Sequence, residues 1–400
     1  MFQKNYGSTI SDITTLYSDL QSGYNMYVRP ADDQNLPVVV NVTFNLVGIK
    51  DFDEVTGKFS VTGYFYITWM DSRLSWNPFL YNETYTISFP QKQVWKPEIT
   101  MVNPYDSIKS IGKDFIVINY FYNGFAYWTP GDVMDSLCSV NVKYYPFDTQ
   151  TCYFNMLVWG TLSSQIYLRP GDSKIGMDYF AEHGTWKLIN AKTEGVYDGG
   201  LSMITVTMVV SRRPLFALVN VILPIMFMSI LNLLVFYLPV ESGERVSYAI
   251  TVLLAIAVFL TLVGDNLPKT SEPMSIICYF LMIDLVLSAI ICFMTILGLS
   301  LHFRNETEHP VPPFWAKFVR SFNSGCCKKK TDIVVDFNNV SVIDNTGEKG
   351  KKVAFADNEF MEIKWKMVAQ SLDKLWFILG GIWTLICFVV FFVITIASLG

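Results

Sequence analysis

Two patterns of hydrophobic residues divide the chain. Residues 1–213 contain short runs in which apolar and polar side chains alternate, such as VVVNVTFNLVGI, FSVTGYFYITW and MITVTMVV, with turn signals between them. A period of two predicts half-buried β-strands. The stretch SDITTLYSDL has helical spacing instead, with Ser11 or Asp12 as a candidate N-cap. We therefore predict an all-β antiparallel sandwich with an N-terminal helix.

Four long apolar runs follow the alternating region. Three of them contain no charged residue, and the other contains a single acid, Asp284. The runs are residues 215–238, 246–264, 273–301 and 375–400. Each is long enough to cross a bilayer as a helix, and a helix buried in a soluble protein rarely stays uncharged for so long. We predict a four-helix transmembrane bundle in which Asp284 faces the interior and pairs with a hydroxyl.

The basic residues set the expected orientation. Residues 302–374 hold twelve Lys or Arg, so this segment is expected in the cytoplasm, with both chain ends outside. The predicted domains are residues 1–213 outside, 214–301 with the first three spans, 302–374 in the cytoplasm, and 375–400 with the fourth span. The cytoplasmic part is expected to hold an interfacial helix at VPPFWAKFVRSF, a flexible stretch, and a pre-span helix from about Phe355. No signal peptide is evident after Met1, so we expect a mature or engineered start.

Composition narrows the function classes. The chain is 51% hydrophobic and only 16% charged, which is too apolar for an ordinary soluble protein. Its three histidines form no ligand cluster, no phosphate-binding glycine loop is present, and the acids lack a paired catalytic setting. We therefore expect no enzyme, no metal or other cofactor, and no nucleic-acid partner. Trp69, Trp76 and Trp95 are expected in the sandwich core.

The cysteines divide between compartments. Cys138 and Cys152 lie in the external part and enclose thirteen residues, CSVNVKYYPFDTQTC, so we predict a disulfide there. Closing this loop would stabilise the fold by about 3 kcal/mol. The same orientation exposes two glycosylation sequons, at Asn41 and Asn82.

The second span carries the candidate chemistry. Between about residues 244 and 266, seven side chains recur at steps of three and four and therefore share one helix face. From one end to the other they are Glu244, Ser247, Thr251, Leu254, Val258, Thr261 and Asp265. Around a symmetric axis this stripe would form carboxylate and hydroxyl rings that select cations, with an apolar constriction that can close by dewetting. The alternative is a helix packed within one bundle, its hydroxyls satisfied by backbone carbonyls.

Several motifs resemble those of one family, the Cys-loop pentameric ligand-gated ion channels. They are Cys138-x13-Cys152 with YPFD inside, WKPE at 95–98, SRRPLF at 211–216 and SGERVSYAITVLLA at 242–255. The last, with Glu244 and no inserted Pro-Ala, is similar to the cation-selective, nicotinic acetylcholine receptor branch, and looks like an invertebrate member. The resemblance implies a ring pentamer of this chain or related subunits, in the lipid of a postsynaptic or other plasma membrane. Such a pentamer conducts cations when a small-molecule agonist binds.

The resemblance also implies residues that couple binding to gating. The Cys-loop tip, Tyr145, Pro146 and Phe147, is expected to touch the connector after the pore helix, which begins at Pro268. The alternative is a disulfide that only staples the sandwich. Glu54 and Arg212 match a pair expected near the same junction, so reversing both charges should partly restore what either reversal impairs. Taken alone, Arg212 would be a basic residue at the membrane edge.

The agonist site is implied at subunit interfaces, where aromatic faces surround an ammonium group. Trp159 and Tyr197 match the principal side, whereas Tyr64, Tyr127 and Thr129 match the complementary side; Trp159 could instead be core. Val102 stands where a tyrosine is expected, and the capping hairpin is short and lacks the adjacent cysteine pair, so acetylcholine is expected to bind weakly or not at all. Both halves occur on one chain, which allows a homopentamer. The alternatives are an accessory subunit that does not conduct as a homomer, and an anion channel, against which Glu244 argues.

Overall fold

The structure is a computed structural model, and it describes residues 8–267, 274–305, 308–322 and 364–397. The chain divides into two compact units. The first consists of Met1–Val221, Leu262–Cys278 and Val393–Gly400, and the second of Ile222–Thr261 and Tyr279–Phe392. The first unit therefore contains the predicted sandwich together with short pieces of the apolar helices.

The first element, helix α1, spans Ile10–Gln21. Thr9 is its N-cap: the Thr9 hydroxyl accepts a hydrogen bond from the Asp12 N–H, and the Asp12 carboxylate accepts one from the Thr9 N–H. This reciprocal pair is a capping box, which satisfies two backbone donors at once. The predicted cap at Ser11 or Asp12 is therefore wrong by two or three residues, and Asp12 serves at the third helical position instead.

Eleven strands follow within the described residues. In chain order they are β1 (Val38–Asp53), β2 (Lys58–Ser75), β3 (Thr86–Pro90), β4 (Ile99–Met101), β5 (Val117–Phe121), β6 (Asn123–Trp128), β7 (Gly131–Leu137), β8 (Thr149–Val158), β9 (Ile166–Pro170), β10 (Trp186–Asp198) and β11 (Leu201–Arg212). One sheet has the order β3-β5-β6-β2-β1-β9 with β7 also paired to β2, and the other has the order β10-β11-β8-β4. All these pairs are antiparallel except β1 with β9, which are parallel.

Alternation decides which side chains enter the core between the sheets. Along β2, Phe65, Ile67 and Trp69 are buried, while Tyr64 and Tyr66 point to the other face of the sheet. The expected core positions of Trp69 and Trp95 are confirmed, since both are buried and their rings meet edge to face at 5.7 Å, and Trp76 packs partly buried against the same core. The sandwich is thus the predicted one.

Among the described residues, four helices are long and apolar enough to cross a membrane, as the sequence predicted. The first span, Leu215–Tyr237, is composed of α2 (Leu215–Ala217), a π-helical turn (Leu218–Ile222), α3 (Leu223–Leu234) and a 3₁₀ turn (Val235–Tyr237). The π turn ends two residues before Pro224, which cannot donate a backbone hydrogen bond. The remaining helices are α4 (Arg245–Asp265), α5 (Ile276–His302), α6 (Pro313–Phe322) and α7 (Trp365–Ala397).

Helix α7 joins the pre-span helix to the fourth span. The sequence predicted a helix that runs through MEIKWKMVAQSLDK into the last span, and the two form one continuous helix from Trp365. The expected helix start near Phe355 and the flexible stretch lie outside the described residues. The predicted interfacial helix is α6, and its Trp315, Phe318 and Val319 pack with Trp365 and Val368 of α7.

Asp284 in α5 lies where the sequence predicted. Its side chain is buried and accepts a hydrogen bond of 2.9 Å from the Ser229 hydroxyl of α3. One turn further along α5, the Ser288 hydroxyl lies 3.3 Å from the side-chain oxygen of Asn232. A buried acid needs such partners in an apolar setting, so these contacts join α3 to α5 through polar groups.

Candidate functional site

The stripe of α4 forms one exposed face of the helix. All seven predicted positions, from Glu244 to Asp265, are exposed, and Leu254 and Val258 expose 62% and 56% of their surface. The opposite face is buried along the helix: Arg245, Ala249, Val252, Ile256 and Val263. The chain therefore covers one side of α4 and leaves the carboxylate- and hydroxyl-bearing side open.

The hydroxyls on this face are oriented by their own helix. The Thr251 hydroxyl donates to the Ser247 carbonyl at 2.8 Å, and the Thr261 hydroxyl donates to the Val258 carbonyl at 2.7 Å. The alternative prediction, in which α4 packs within one bundle, also has the hydroxyls bonded to backbone carbonyls. These bonds also commit each hydroxyl proton to the helix, so the lone pairs of the oxygen remain available to an external cation.

The predicted disulfide between Cys138 and Cys152 is present, with the two Cα atoms 5.1 Å apart. It joins the end of β7 to β8. Within the loop, the buried side chain of Gln150 adds a second brace that the sequence did not reveal. The Gln150 amide donates to the Asn141 carbonyl and to Asp148, and the Gln150 carbonyl oxygen accepts from the Asn141 N–H.

Replacing Cys138 and Cys152 together with serine is expected to lower the free energy of unfolding of the sandwich by about 3 kcal/mol. The reason is that, without the disulfide, the unfolded chain gains the conformational entropy of an open loop. Thermal unfolding of the purified chain, followed by near-ultraviolet circular dichroism, would measure the change. Gln150→Glu in the disulfide-bonded chain separates the two braces, because it removes the amide donor and leaves the disulfide intact. A double serine variant as stable as the parent chain would contradict the prediction.

Arg212 at the end of β11 is the centre of a charged cluster. The predicted partner Glu54 lies 2.7 Å from it. Asp148, the acid of the YPFD sequence, makes a second contact through two hydrogen bonds of 2.7 and 3.1 Å. The rings of Tyr145 and Trp186 cover the guanidinium at 4.9 and 4.4 Å. Sequence reasoning found Glu54 and missed Asp148 and Trp186, although the position of Asp148 two residues after Pro146 was visible.

The side chains at the loop tip are wholly or partly buried. Tyr145 packs against Arg212, Pro146 is buried after a cis peptide bond, and Phe147 is half-buried. The loop also contacts the start of α5, where the Ile276 N–H donates a hydrogen bond to the Lys143 carbonyl at 3.0 Å. Pro268 and the connector that follows it lie outside the described residues, so their expected contact with the tip stays a prediction.

The residues predicted for the principal side of the agonist site are exposed to solvent. Trp159 lies in the turn after β8 with 56% of its surface exposed, so it does not belong to the sandwich core. Tyr197, near the end of β10, is 66% exposed. The capping hairpin turns through only two residues, Gly199 and Gly200, both at positive φ, and the Gly200 carbonyl accepts a hydrogen bond from Ser163 N–H in the loop after Trp159. Val102 is partly exposed beyond β4.

The residues predicted for the complementary side belong to a larger aromatic group. Tyr64 lies on β2, Tyr127 lies on β6, and Thr129 follows directly after β6; all three are half-buried. Tyr66 stands between Tyr64 and Tyr127, with ring centroids 5.3 and 5.5 Å from theirs. Tyr179, from a loop, lies 6.5 Å from Tyr64. Sequence reasoning missed Tyr66 and Tyr179; the strand period placed Tyr66 on the face of Tyr64, but no sequence pattern pointed to Tyr179.

The two glycosylation sequons have different surroundings. Asn41 is half-buried near the start of β1, where its side-chain oxygen accepts a hydrogen bond of 2.9 Å from Arg169. Asn82 ends a 3₁₀ turn, Pro78–Tyr81, with φ of 51°. Glycosylation of either residue stays a prediction.

A β-sandwich with a bridged loop, followed by four membrane-spanning helices, is the architecture of a channel-forming receptor subunit. Two family models match the chain: the neurotransmitter-gated ion-channel ligand binding domain over residues 13–214, and the neurotransmitter-gated ion-channel transmembrane region over residues 221–336. The chain belongs to the neurotransmitter-gated ion-channel family, the Cys-loop receptors of nicotinic type.

Several curated relatives agree with this family. The neuronal acetylcholine receptor subunit alpha-6 of Homo sapiens is 30% identical over 76% of this chain and 62% of its own length. The acetylcholine receptor subunit alpha-1-B of Xenopus laevis is 32% identical over 76% of this chain and 68% of its own length. The chain thus spans less than two thirds of the alpha-6 subunit. The predicted family and fold, and the expectation that the chain is not an enzyme, are confirmed; the invertebrate type stays a prediction.

Proposed function

We propose that this chain is a subunit of a cation-selective channel, opened by a small amine bound at the outer interface between subunits. The observation that carries the proposal is the exposed stripe of α4, which has a carboxylate at both ends and hydroxyls beside an apolar middle. Members of the family are pentamers that bind small-molecule agonists. Five copies of the stripe around one axis would line a water-filled passage, and they would account for its exposure.

Each part of the stripe has a physical role in this proposal. Rings formed by Glu244 and Asp265 concentrate cations and repel anions at the two mouths. Thr251 and Thr261 present oxygen lone pairs that replace part of the hydration shell of a cation. Leu254, the most exposed apolar side chain of the stripe, forms the ring that closes the passage by dewetting.

In this proposal, the β-sandwich binds the ligand and transmits the effect of binding to the pore. Trp159 and Tyr197 are exposed on one part of the sandwich, and the half-buried rings of Tyr64 and Tyr127 lie on another, so neighbouring copies of one chain can provide both halves of a site. This arrangement supports a homopentamer. The Arg212 cluster braces the loop between Cys138 and Cys152, and the Lys143 carbonyl of that loop accepts a hydrogen bond from the Ile276 N–H at the start of α5. Together they are the proposed route by which ligand binding opens the pore. We place the sandwich and both chain ends outside the plasma membrane.

Leu254→Thr in the full chain is expected to produce a cation current in cells that express this chain alone. The substitution makes the closing ring polar, so water and ions enter more readily. The current should reverse away from the chloride potential, and adding Glu244→Gln should shift the reversal potential toward it. Voltage-clamp recording with ion substitution measures both effects.

Leu253→Thr is the matched control, since it makes the same change one residue away, off the stripe and in a half-buried position. It should leave the chain silent without ligand. A Leu254→Thr current that reverses at the chloride potential would contradict the cation pore.

A second function, a subunit that does not conduct alone, is favoured by one observation. The two-residue turn at Gly199 and Gly200 gives the capping hairpin little length with which to close over a ligand. This alternative would be supported if the Leu254→Thr variant carries no current in cells where surface labelling shows that the chain is present. Current on adding related subunits would then establish that the chain conducts only in mixed assemblies.

A further inference from the structure

The complementary half-site contains a wall of four phenols. We call Tyr64, Tyr66, Tyr127 and Tyr179 the tyrosine wall. Tyr66 is its central member, because its ring lies 5.3 Å from that of Tyr64 and stacks at 28° to that of Tyr127, 5.5 Å away. Tyr179 extends the wall beyond Tyr64 and is 72% exposed. All four rings lie on or beside the solvent-facing surface of one sheet, opposite the sandwich core.

The loop that carries Tyr179 is fixed to the sheet. Gly176 exchanges backbone hydrogen bonds with β1, since its N–H donates to the Phe44 carbonyl and its carbonyl accepts from the Leu46 N–H. Ala181 N–H donates to the Val47 carbonyl at the other end of the loop. The loop therefore has both ends anchored on β1, which is the neighbour of β2, and it holds Tyr179 and Asp178 beside Tyr64.

Gly176 has a steric reason to be glycine. A Cβ at this position would overlap the side-chain oxygen of Asn45 and lie 2.9 Å from its Cγ. Asn45 is buried, so it has little room to move aside. A larger residue at position 176 would therefore displace the anchored loop and the two side chains that it presents.

The wall offers neutral hydroxyls at physiological pH. Hydrogen bonding to Tyr66, together with burial and the nearby charge of Asp178, raises the pKa of Tyr64 to about 12. Burial, together with Tyr66, raises the pKa of Tyr127 to about 12. Tyr64 and Tyr127 thus keep their protons and oxygen lone pairs, and the exposed Asp178 places a carboxyl group at the edge of the wall.

We propose that this half-site recognises a protonated amine that bears at least one N–H, in preference to a quaternary ammonium. This inference rests on the proposed function and deepens it. Both kinds of cation are attracted to aromatic faces. Only the N–H-bearing amine can also donate to phenol oxygens and to the Asp178 carboxylate, and hydrogen bonds to charged groups are the stronger ones. Tyr66 and Asp178 are the residues that determine this specificity.

The test uses the full chain with Leu254→Thr as background and a series of amines on one alkyl scaffold: primary, tertiary and quaternary. Concentration–response curves should give the N–H-bearing amines a potency about tenfold or more above that of the quaternary member. Tyr66→Phe and Asp178→Asn should each reduce that advantage about tenfold and change the quaternary potency by less than threefold. Gly176→Ala should reduce the advantage as Asp178→Asn does, and it should also weaken the quaternary member, because Tyr179 is displaced together with Asp178.

Tyr85→Phe is the matched control, because Tyr85 is an exposed tyrosine of the same sandwich that contacts Tyr122 instead of the wall. It should leave all potencies unchanged. Calorimetric titration of the purified full chain with the same amines supplies a readout that does not need an open pore.

Failure of this inference is distinguishable from failure of the proposed function. A quaternary member as potent as the others, or an equal loss for every amine in Tyr66→Phe, overturns the inference, as does the absence of amine binding in the calorimeter. None of these results bears on the unliganded current of Leu254→Thr. Loss of that current in surface-expressed chains overturns the proposed function instead, while a calorimetric preference for N–H-bearing amines would still support the inference.

Discussion

Reversing the charge of Arg212 is expected to silence the channel, and reversing Glu54 together with it should restore only a small part of the response. Arg212 contacts two acids, and the side chain of Asp148 is nearly inaccessible, with 2% of it exposed. A glutamate at position 212 would face Asp148 at hydrogen-bonding distance whatever stands at position 54. Removing the partner of a buried charge costs about 3–5 kcal/mol, so local folding of the loop suffers along with gating.

The structure therefore refines the prediction made from the sequence alone, in which the double reversal of Glu54 and Arg212 partly restores the response, because it adds Asp148 as a second partner of Arg212. Adding Asp148→Asn to that double reversal should recover more current, because the third substitution removes the remaining like-charge contact. Agonist-evoked current, divided by the amount of chain at the cell surface, is the measurement that compares the single, double and triple variants.

Arg213→Glu is the neighbouring control. Arg213 pairs with Glu182 at the surface, and both side chains are largely solvated, so reversing this charge should change the normalised current little. If the double reversal restores the full current without any change at Asp148, then the pairing with Glu54 alone accounts for the contribution of Arg212 to gating, and the prediction is wrong.

Local periodicity accounts for what the sequence could predict. The alternation in β2 assigned Phe65, Ile67 and Trp69 to the core, because successive side chains of a strand point to opposite faces. The steps of three and four in α4 likewise placed Glu244 through Asp265 on one face, and that face is exposed throughout. In both elements the chemistry follows from one repeating geometry, so no knowledge of distant contacts was needed.

Contacts between distant segments account for what the sequence could not predict. Asp148 and Arg212 are 64 residues apart, and their pairing depends on β8 and β11 lying side by side. Tyr179 reaches Tyr64 because a loop is anchored to β1, and no repeat in the sequence indicates that anchoring. The N-cap at Thr9 was missed for a different reason: Ser11 and Asp12 are equally suitable types, and the reciprocal bond of Asp12 decided the position.

Arg245→Gln is expected to destabilise the membrane unit by about 3–5 kcal/mol, since it removes the cation of a buried pair. Arg245 is 1% exposed, and its guanidinium lies 2.9 Å from Asp373 of α7. The same group donates to the Val235 and Phe236 carbonyls at the end of the first span, at 3.0 and 3.2 Å. One side chain of α4 thus joins the first and fourth spans, and glutamine cannot reach all of these acceptors.

The expected order of stability among variants follows from donor geometry. Arg245→Lys keeps the charge but lacks the planar fork of donors, so it should lie between Arg245→Gln and the parent chain. Asp373→Asn should be milder than Arg245→Gln, because an amide oxygen still accepts a hydrogen bond from the guanidinium. Thermal unfolding of detergent-purified chains, followed by the loss of folded oligomer on size-exclusion chromatography, orders the four proteins.

Lys366→Gln provides the control, since Lys366 pairs with Glu241 at 2.8 Å in the same unit but both side chains are more than half exposed. It should unfold with the parent chain. The consequence for function is local, because Arg245 directly follows Glu244, whose carboxylate would stand at one mouth of the pore. An Arg245→Gln chain that is as stable as the parent would show that water or another cation compensates Asp373; an unstable chain with unchanged ion selectivity would show that Glu244 does not depend on this anchor.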